Sequence, residues 1–232
     1  MQLCDRMRRK DSFTLIELLV VIVIIAILAG FLFPVFQGVQ IRAKKLQAKN
    51  DLTQIVTAVS AYYTEYGKYP IDTSGGGAPA DVIFDSTNND KLFDVLSNNL
   101  NSTTNAALVA LLNPRQITFI SPPYVRDGAN PRAGIATQAA TANGVAIRKG
   151  EFVDPWGGPY VVAIDGDYSG LVQVGTALNY SDLTYSTDPQ TGGPAAVRSG
   201  VIAASYGMDG TKDTKSPASS NFKNSDDVIS WQ

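Results

Sequence analysis

Glu17 stands at the edge of a membrane-length apolar run. Ser12 to Phe36 reads SFTLIELLVVIVIIAILAGFLFPVF, and the nineteen residues from Leu18 to Phe36 carry no charge and no hydrogen-bonding side chain. A helix of that length, rising ~1.5 Å per residue, crosses a hydrocarbon core of ~30 Å. A carboxylate at the edge of such a run is costly unless it finds a cation, so its presence calls for a purpose. Other chemistries are removed by absences. The chain has no histidine, which excludes Ser-His-Asp and Cys-His catalysis and every His-ligated zinc site. Its single cysteine, Cys4, precedes the apolar run, so the body can form no disulfide and offers no thiol nucleophile. Gly75–Gly77 is followed by no Lys-Ser/Thr pair and is a connector rather than a phosphate loop. Asp165-Gly166-Asp167 lacks the spacing and closing glutamate of an EF-hand and is a turn.

The elements that must position Glu17 follow from composition and periodicity. At 232 residues, 44% apolar and 17% charged, the chain holds one membrane helix and one soluble body with a real core. Residues 1–12 carry Arg6, Arg8, Arg9 and Lys10 against Asp5 and Asp11. Removing them leaves 15 basic and 19 acidic residues, with no basic patch for nucleic acid. After Phe36 the sequence becomes amphipathic, with Leu52, Ile55, Val56, Val59 and Tyr63 on one helical face. Gly67 and Pro70 supply the stop. The spacing therefore predicts one helix from about Phe13 to Tyr66. Pro34 removes a ladder bond to Gly30 and marks a kink there.

Three accounts of residues 1–36 compete: a secretory signal peptide, a plain signal anchor, and a leader removed before the apolar run. The run is too long for a signal peptide and Ile27-Leu28-Ala29 is a poor cleavage site. The anchor leaves Glu17 unexplained. The segment KDSFTLIELLVV (Lys10–Val21) resembles the cleavage and methylation signature of type IV pilins and type II secretion pseudopilins. The resemblance implies that a prepilin peptidase cuts between Ser12 and Phe13 and methylates the freed amine of Phe13. Ser12 stands where that family carries glycine. Phe13 and Glu17 are four residues apart, about one helical turn. In a staggered stack of helices, one subunit's amine can then neutralise the next subunit's Glu17, which rewards register more than raw stability. Positive charges flank the run on both sides, so the cytoplasmic N-terminus rests on the processing motif rather than on the charge count.

The body is less legible. IDTSGGGAPADVIFDSTNND is loop by composition, KLFDVLSNNL and NAALVALLN are short helices, and residues 128–144 form a further loop. Asp154-Pro155-Trp156-Gly157-Gly158-Pro159 is dense turn chemistry. YVVAI (160–164) and LVQVG (171–175) make a hairpin candidate, and VIAASYG (201–207) a further strand.

DPWGGPY, SYGMDG and the closing Asp226-Asp227-Val228-Ile229 and Trp231 are similar to the body of the major pseudopilin of type II secretion. That resemblance implies an α+β, pilin-like fold, in which a long N-terminal helix packs on a small antiparallel sheet and a C-terminal loop holds calcium. The implied ligands are Asp209, Asp226 and Asp227, with a backbone carbonyl near Tyr206 and with Asp213 as a substitute. The domain reading is a leader (1–12), a transmembrane and assembly helix (13–36), an amphipathic second half (37–70) and a periplasmic head (71–232) with insertions near 72–150 and 176–200. The function implied is a non-enzymatic subunit of a periplasmic pseudopilus for protein export. Its partners would be copies of itself, minor pseudopilins, the prepilin peptidase and an inner-membrane platform. The alternative is a type IV pilus subunit for adhesion, motility or DNA uptake.

Overall fold

The computed structural model describes residues 14–76, 80–174, 178, 196–212 and 225–231, with the backbone alone at 31–37. One uninterrupted helix, α1 (Leu15–Tyr66), runs through both Gly30 and Pro34. It ends where the sequence predicts, with Gly67 at φ 67° and the Gly67 N–H donating to the Tyr63 carbonyl at 2.8 Å. The chain forms two compact units that meet in sequence at Ala43/Lys44. In the N-terminal unit the large apolar side chains from Leu15 to Leu28 are exposed to solvent. Among the described residues no helix is long and apolar enough to cross a membrane. The apolar run of the sequence continues past Gly30 into 31–37, whose side chains are not described.

In the C-terminal unit α1 buries Ala48, Leu52, Ile55, Ala58, Val59 and Tyr62. The expected stripe is thus correct except at its end: Tyr63 is exposed and Tyr62 takes the buried position, its hydroxyl donating to the Leu112 carbonyl at 2.6 Å. A step of three from Val59 keeps the side chain over the core, where a step of four carries it past. The partner of this face is a four-stranded antiparallel sheet in the order β1 (Val82–Phe84), β6 (Val161–Ile164), β9 (Val201–Ser205), β10 (Val228–Ile229). Phe84, Val162, Ile164, Val201, Ala203 and Val228 share one core with α1. Val161, Ala163, Ile202, Ala204 and Ile229 face a second core with Val172, Val174, Leu178 and Val197. Both faces of the sheet are covered, and for that reason β6 and β9 are apolar without alternation. The first core also takes in α2 (Asn89–Leu96) and α3 (Ala106–Leu112), the two short helices expected.

Three expectations are corrected. Residues 160–164 and 171–175 do not pair: β6 has both edges filled by β1 and β9, and β7 (Val172–Gln173) pairs instead with β8 (Ala196–Val197). The turn explains this. Asp165 accepts the Ser169 and Gly170 N–H groups, at 3.1 and 2.8 Å, and leads the chain out of the sheet. Val82–Phe84, placed in a loop by its Gly/Asp/Ser-rich surroundings, is an edge strand, too short to show periodicity. The stretch 128–144 likewise contains β2 (Gly134–Ile135) and β3 (Ala140–Ala142), which pair with β5 (Phe152–Val153) and β4 (Val145–Ile147) over a small third core.

Candidate functional site

Two places carry the residues singled out in the sequence. The first is the start of α1. Ser12 and Phe13 lie outside the described residues, and Thr14 is the first described. The Thr14 N–H donates to Glu17 Oε2 at 2.9 Å, its hydroxyl donates to the same oxygen at 2.7 Å, and the Glu17 N–H donates to Thr14 Oγ1 at 3.3 Å. This reciprocal arrangement is a capping box, and it satisfies donors that the first helical turn leaves without partners. The carboxylate also sits favourably at the positive end of the helix dipole. The Thr-x-x-Glu spacing of Thr14-Leu15-Ile16-Glu17 is the sequence signal for the capping box. In the single chain, Glu17 is exposed and its partner is Thr14.

The second place is the C-terminal loop. Asp209, Asp226 and Asp227 each bring a carboxylate oxygen to within 4.8 Å of the others, although 17 and 18 residues separate Asp209 from the pair. Two oxygens bound to one calcium at 2.3–2.6 Å can be no more than about 5 Å apart, and the separations here lie within that limit. The all-oxygen donor set also suits a hard cation. Backbone chemistry holds the cluster. Asp226 Oδ2 accepts the Met208 and Asp209 N–H groups, Asp209 Oδ1 accepts Thr211 N–H at 2.8 Å, and Asp227 N–H donates to Ser225 Oγ at 2.9 Å. Gly207 is required twice over: its φ is 69°, and a Cβ there would meet the Asp226 carbonyl oxygen at 2.5 Å. Burial, reinforced by the charges of Asp227 and Asp85, pushes the Tyr206 hydroxyl up to about 12. Burial also lowers the Lys212 ammonium, against the attraction of Asp227. Asp213 lies outside the described residues.

This loop is tied to α1. Lys45 Nζ donates to the Ser225 carbonyl at 3.0 Å and Lys49 Nζ to the Ile229 carbonyl at 2.8 Å. In the sequence these lysines are part of the positive charge that follows the apolar run, and Asp154 is part of a turn. Asp154 is buried, and its Oδ1 accepts the N–H groups of Trp156, Gly157 and Gly158 at 2.7–2.9 Å, while Oδ2 accepts the Ser205 hydroxyl at 2.5 Å. The DPWGGP segment is therefore a nest wrapped on one carboxylate and bolted to β9. Burial raises that carboxyl in spite of the four donors.

Residues 7–33 match the model of the prokaryotic N-terminal methylation motif. Over 150 residues the chain is 32% identical to a fimbrial protein of Neisseria meningitidis serogroup B, covering 60% of this chain and 88% of that one. The chain belongs to the type IV pilin-like family. It is also 35% identical over 71 residues to the type II secretion system core protein G of Dickeya chrysanthemi, covering 31% of this chain and 46% of the relative. A third likeness, 41% over 61 residues, is to the type IV major pilin protein PilA of Myxococcus xanthus, covering 26% of this chain and 28% of the pilin. The chain thus spans less than half the length of these last two. No solved structure matches it. The helix packed on antiparallel strands is the pilin-like architecture expected, and a pilin-type structural subunit accounts for the motif at its N-terminus.

Proposed function

We propose that this chain is a subunit of a periplasmic pseudopilus of the type II secretion kind, anchored in the inner membrane by residues 13–36 with its N-terminus cytoplasmic and its head periplasmic. Prepilin peptidase removes residues 1–12 and methylates Phe13. The subunits then stack through their apolar helices above an inner-membrane platform, alongside minor pseudopilins, and the growing filament moves cargo outward. It carries out no chemistry of its own. The observation that carries this reading is the N-terminal half of α1, whose large apolar side chains from Leu15 to Leu28 are exposed among the described residues while Glu17 caps its own helix. In a stack, those side chains gain neighbours and the Glu17 carboxylate exchanges Thr14 for the amine of an adjacent Phe13. Calcium at Asp209, Asp226 and Asp227 would neutralise three converging carboxylates and fix the loop between them, in a body that has no disulfide.

The alternative, a type IV pilus subunit for adhesion, motility or DNA uptake, is favoured by one observation. The fimbrial relative aligns over 150 residues, against 71 for core protein G. Deleting the chain's gene from its native cell separates the two. Loss of export with surface fibres intact supports the pseudopilus; loss of surface fibres with export intact supports the pilus. A Glu17→Leu chain that is inserted, cleaved and assembled at the normal rate contradicts both.

A further inference from the structure

A cleft of about 510 Å³ opens on the head between α2, the loop 99–105, the Tyr124–Ile135 ladder and the turn 148–150. It belongs to the inserted region and is far in sequence from both places described above. Its volume is that of a small-ligand site.

The polar groups of the cleft form one hydrogen-bonded lattice. Asn105 Nδ2 donates to Asp90 Oδ2 at 2.8 Å and to Asp94 Oδ2 at 2.9 Å, and Asn99 Nδ2 donates to Asp94 Oδ1 at 2.7 Å. Arg148 bridges Asp90 Oδ1 at 2.9 Å and Glu151 Oε1 at 3.1 Å. Asp90, Asp94 and Asn105 are buried, so these planar groups are held in place before any ligand arrives. Beside them stands one aromatic ring. Tyr124 is 69% exposed, yet its backbone is pinned: Val125 N–H donates to the Ile135 carbonyl at 3.0 Å and Ile135 N–H to the Pro123 carbonyl at 2.8 Å. Gly134 permits this close approach, since a Cβ there would meet the Pro123 oxygen at 2.5 Å.

The donor set discriminates among ligand classes. Each oxygen of Asp90 and Asp94 already accepts one amide or guanidinium hydrogen and keeps one lone pair for a further neutral donor, an arrangement that favours a hydroxyl over a metal ion. Lys91, Arg148 and Lys149 also line the cleft, but the buried Asp90 and Asp94 stand against them and disfavour phosphate. The buried charged groups Asp90 and Asp94 on one wall disfavour a wholly apolar molecule. Vicinal hydroxyls, each able to donate and accept, suit carboxylates, amides and a guanidinium set side by side, and the C–H face of a pyranose suits an exposed phenol ring on a pinned backbone. We propose that this cleft binds a pyranose-containing oligosaccharide, with Tyr124 as the stacking platform and Asp90, Asp94, Asn105 and Arg148 as the hydroxyl-reading wall.

The test is saturation-transfer NMR on the full chain in phosphocholine micelles with maltotriose, chitotriose, mannotriose and an uncharged Ala/Ser tripeptide as probes. The expected result is transfer to at least one trisaccharide and none to the tripeptide. Tyr124→Ala is expected to lower that affinity at least tenfold with an unchanged melt, because the side chain is exposed. Tyr168→Ala, at an exposed tyrosine that does not line this cleft, leaves binding intact. Absence of transfer to all three sugars at millimolar concentration, transfer to the peptide alone, or sugar binding that survives Tyr124→Ala overturns the proposal.

Discussion

The two halves of α1 are built from one helix and solve opposite problems. From Leu15 to Leu28 the apolar side chains are exposed on every face, whereas from Ala48 to Tyr62 they form a stripe buried in the head. The polar groups divide the same way. Among the described residues Glu17 bonds within its own turn, while Lys45, Lys49 and Asp51 reach the Ser225 carbonyl, the Ile229 carbonyl and the Tyr160 hydroxyl. The described apolar side chains of α1 are buried by the head in its second half and left exposed in its first. Substitutions in the head should therefore change folding, and substitutions in the N-terminal half should change assembly alone.

The largest effect is expected at Asp154. Asp154→Ala strands three buried N–H donors and the Ser205 hydroxyl, and should cost at least ~3–5 kcal/mol, read as a large fall in the denaturation midpoint of the full chain in micelles. Leu52→Ala comes next, at about 2–5 kcal/mol for a fully buried leucine, whereas Leu19→Ala should leave the same melt unmoved. Equal losses at Leu52 and Leu19 would erase the distinction between the halves. Removing calcium with a chelator should lower the melt of the head, and Asp226→Ala should abolish that response.

The smallest effect is a pH dependence. Burial pushes the Glu151 carboxyl up to about 7, against the pull of Arg148. The folded chain then holds a proton that the unfolded chain, at its ordinary 4.5, has released, so the group's contribution to stability declines as pH rises from 4.5 through 7. Glu151→Gln, which mimics the protonated acid, should gain on the order of 1 kcal/mol over the parent above pH 7 and nothing below pH 4.5. A gain independent of pH would show that the Glu151 carboxyl titrates alike in the folded and the unfolded chain.

What was legible in the sequence follows the same division. The N-terminal half is dominated by short-range signals, and the membrane-length run, Glu17 and the cleavage motif stand side by side. The end of α1 at Gly67 and the short helices α2 and α3 were legible for the same reason. The head depends on long-range pairing, and there local signals ran out. YVVAI and LVQVG looked like a hairpin because they are adjacent, but β6 closes on β1 and β9, strands far away in sequence. Val82–Phe84 is three residues long, with no pattern to find. The three carboxylates of the C-terminal loop were named through resemblance; no spacing rule would bring Asp209 to Asp226 and Asp227. Asp154 and the cleft lattice of Asp90, Asp94 and Asn105 left no trace, because buried polar networks carry no periodicity.

The central claim is that the N-terminal half of α1 becomes an assembly surface only after the leader is removed. Intact-mass and N-terminal analysis of the chain recovered from its native membranes tests this most directly. The account predicts a chain that begins at N-methyl-Phe13 with Glu17 fifth. A chain that retains Met1, or one cut beyond Ala29 so that the apolar run is lost, contradicts it.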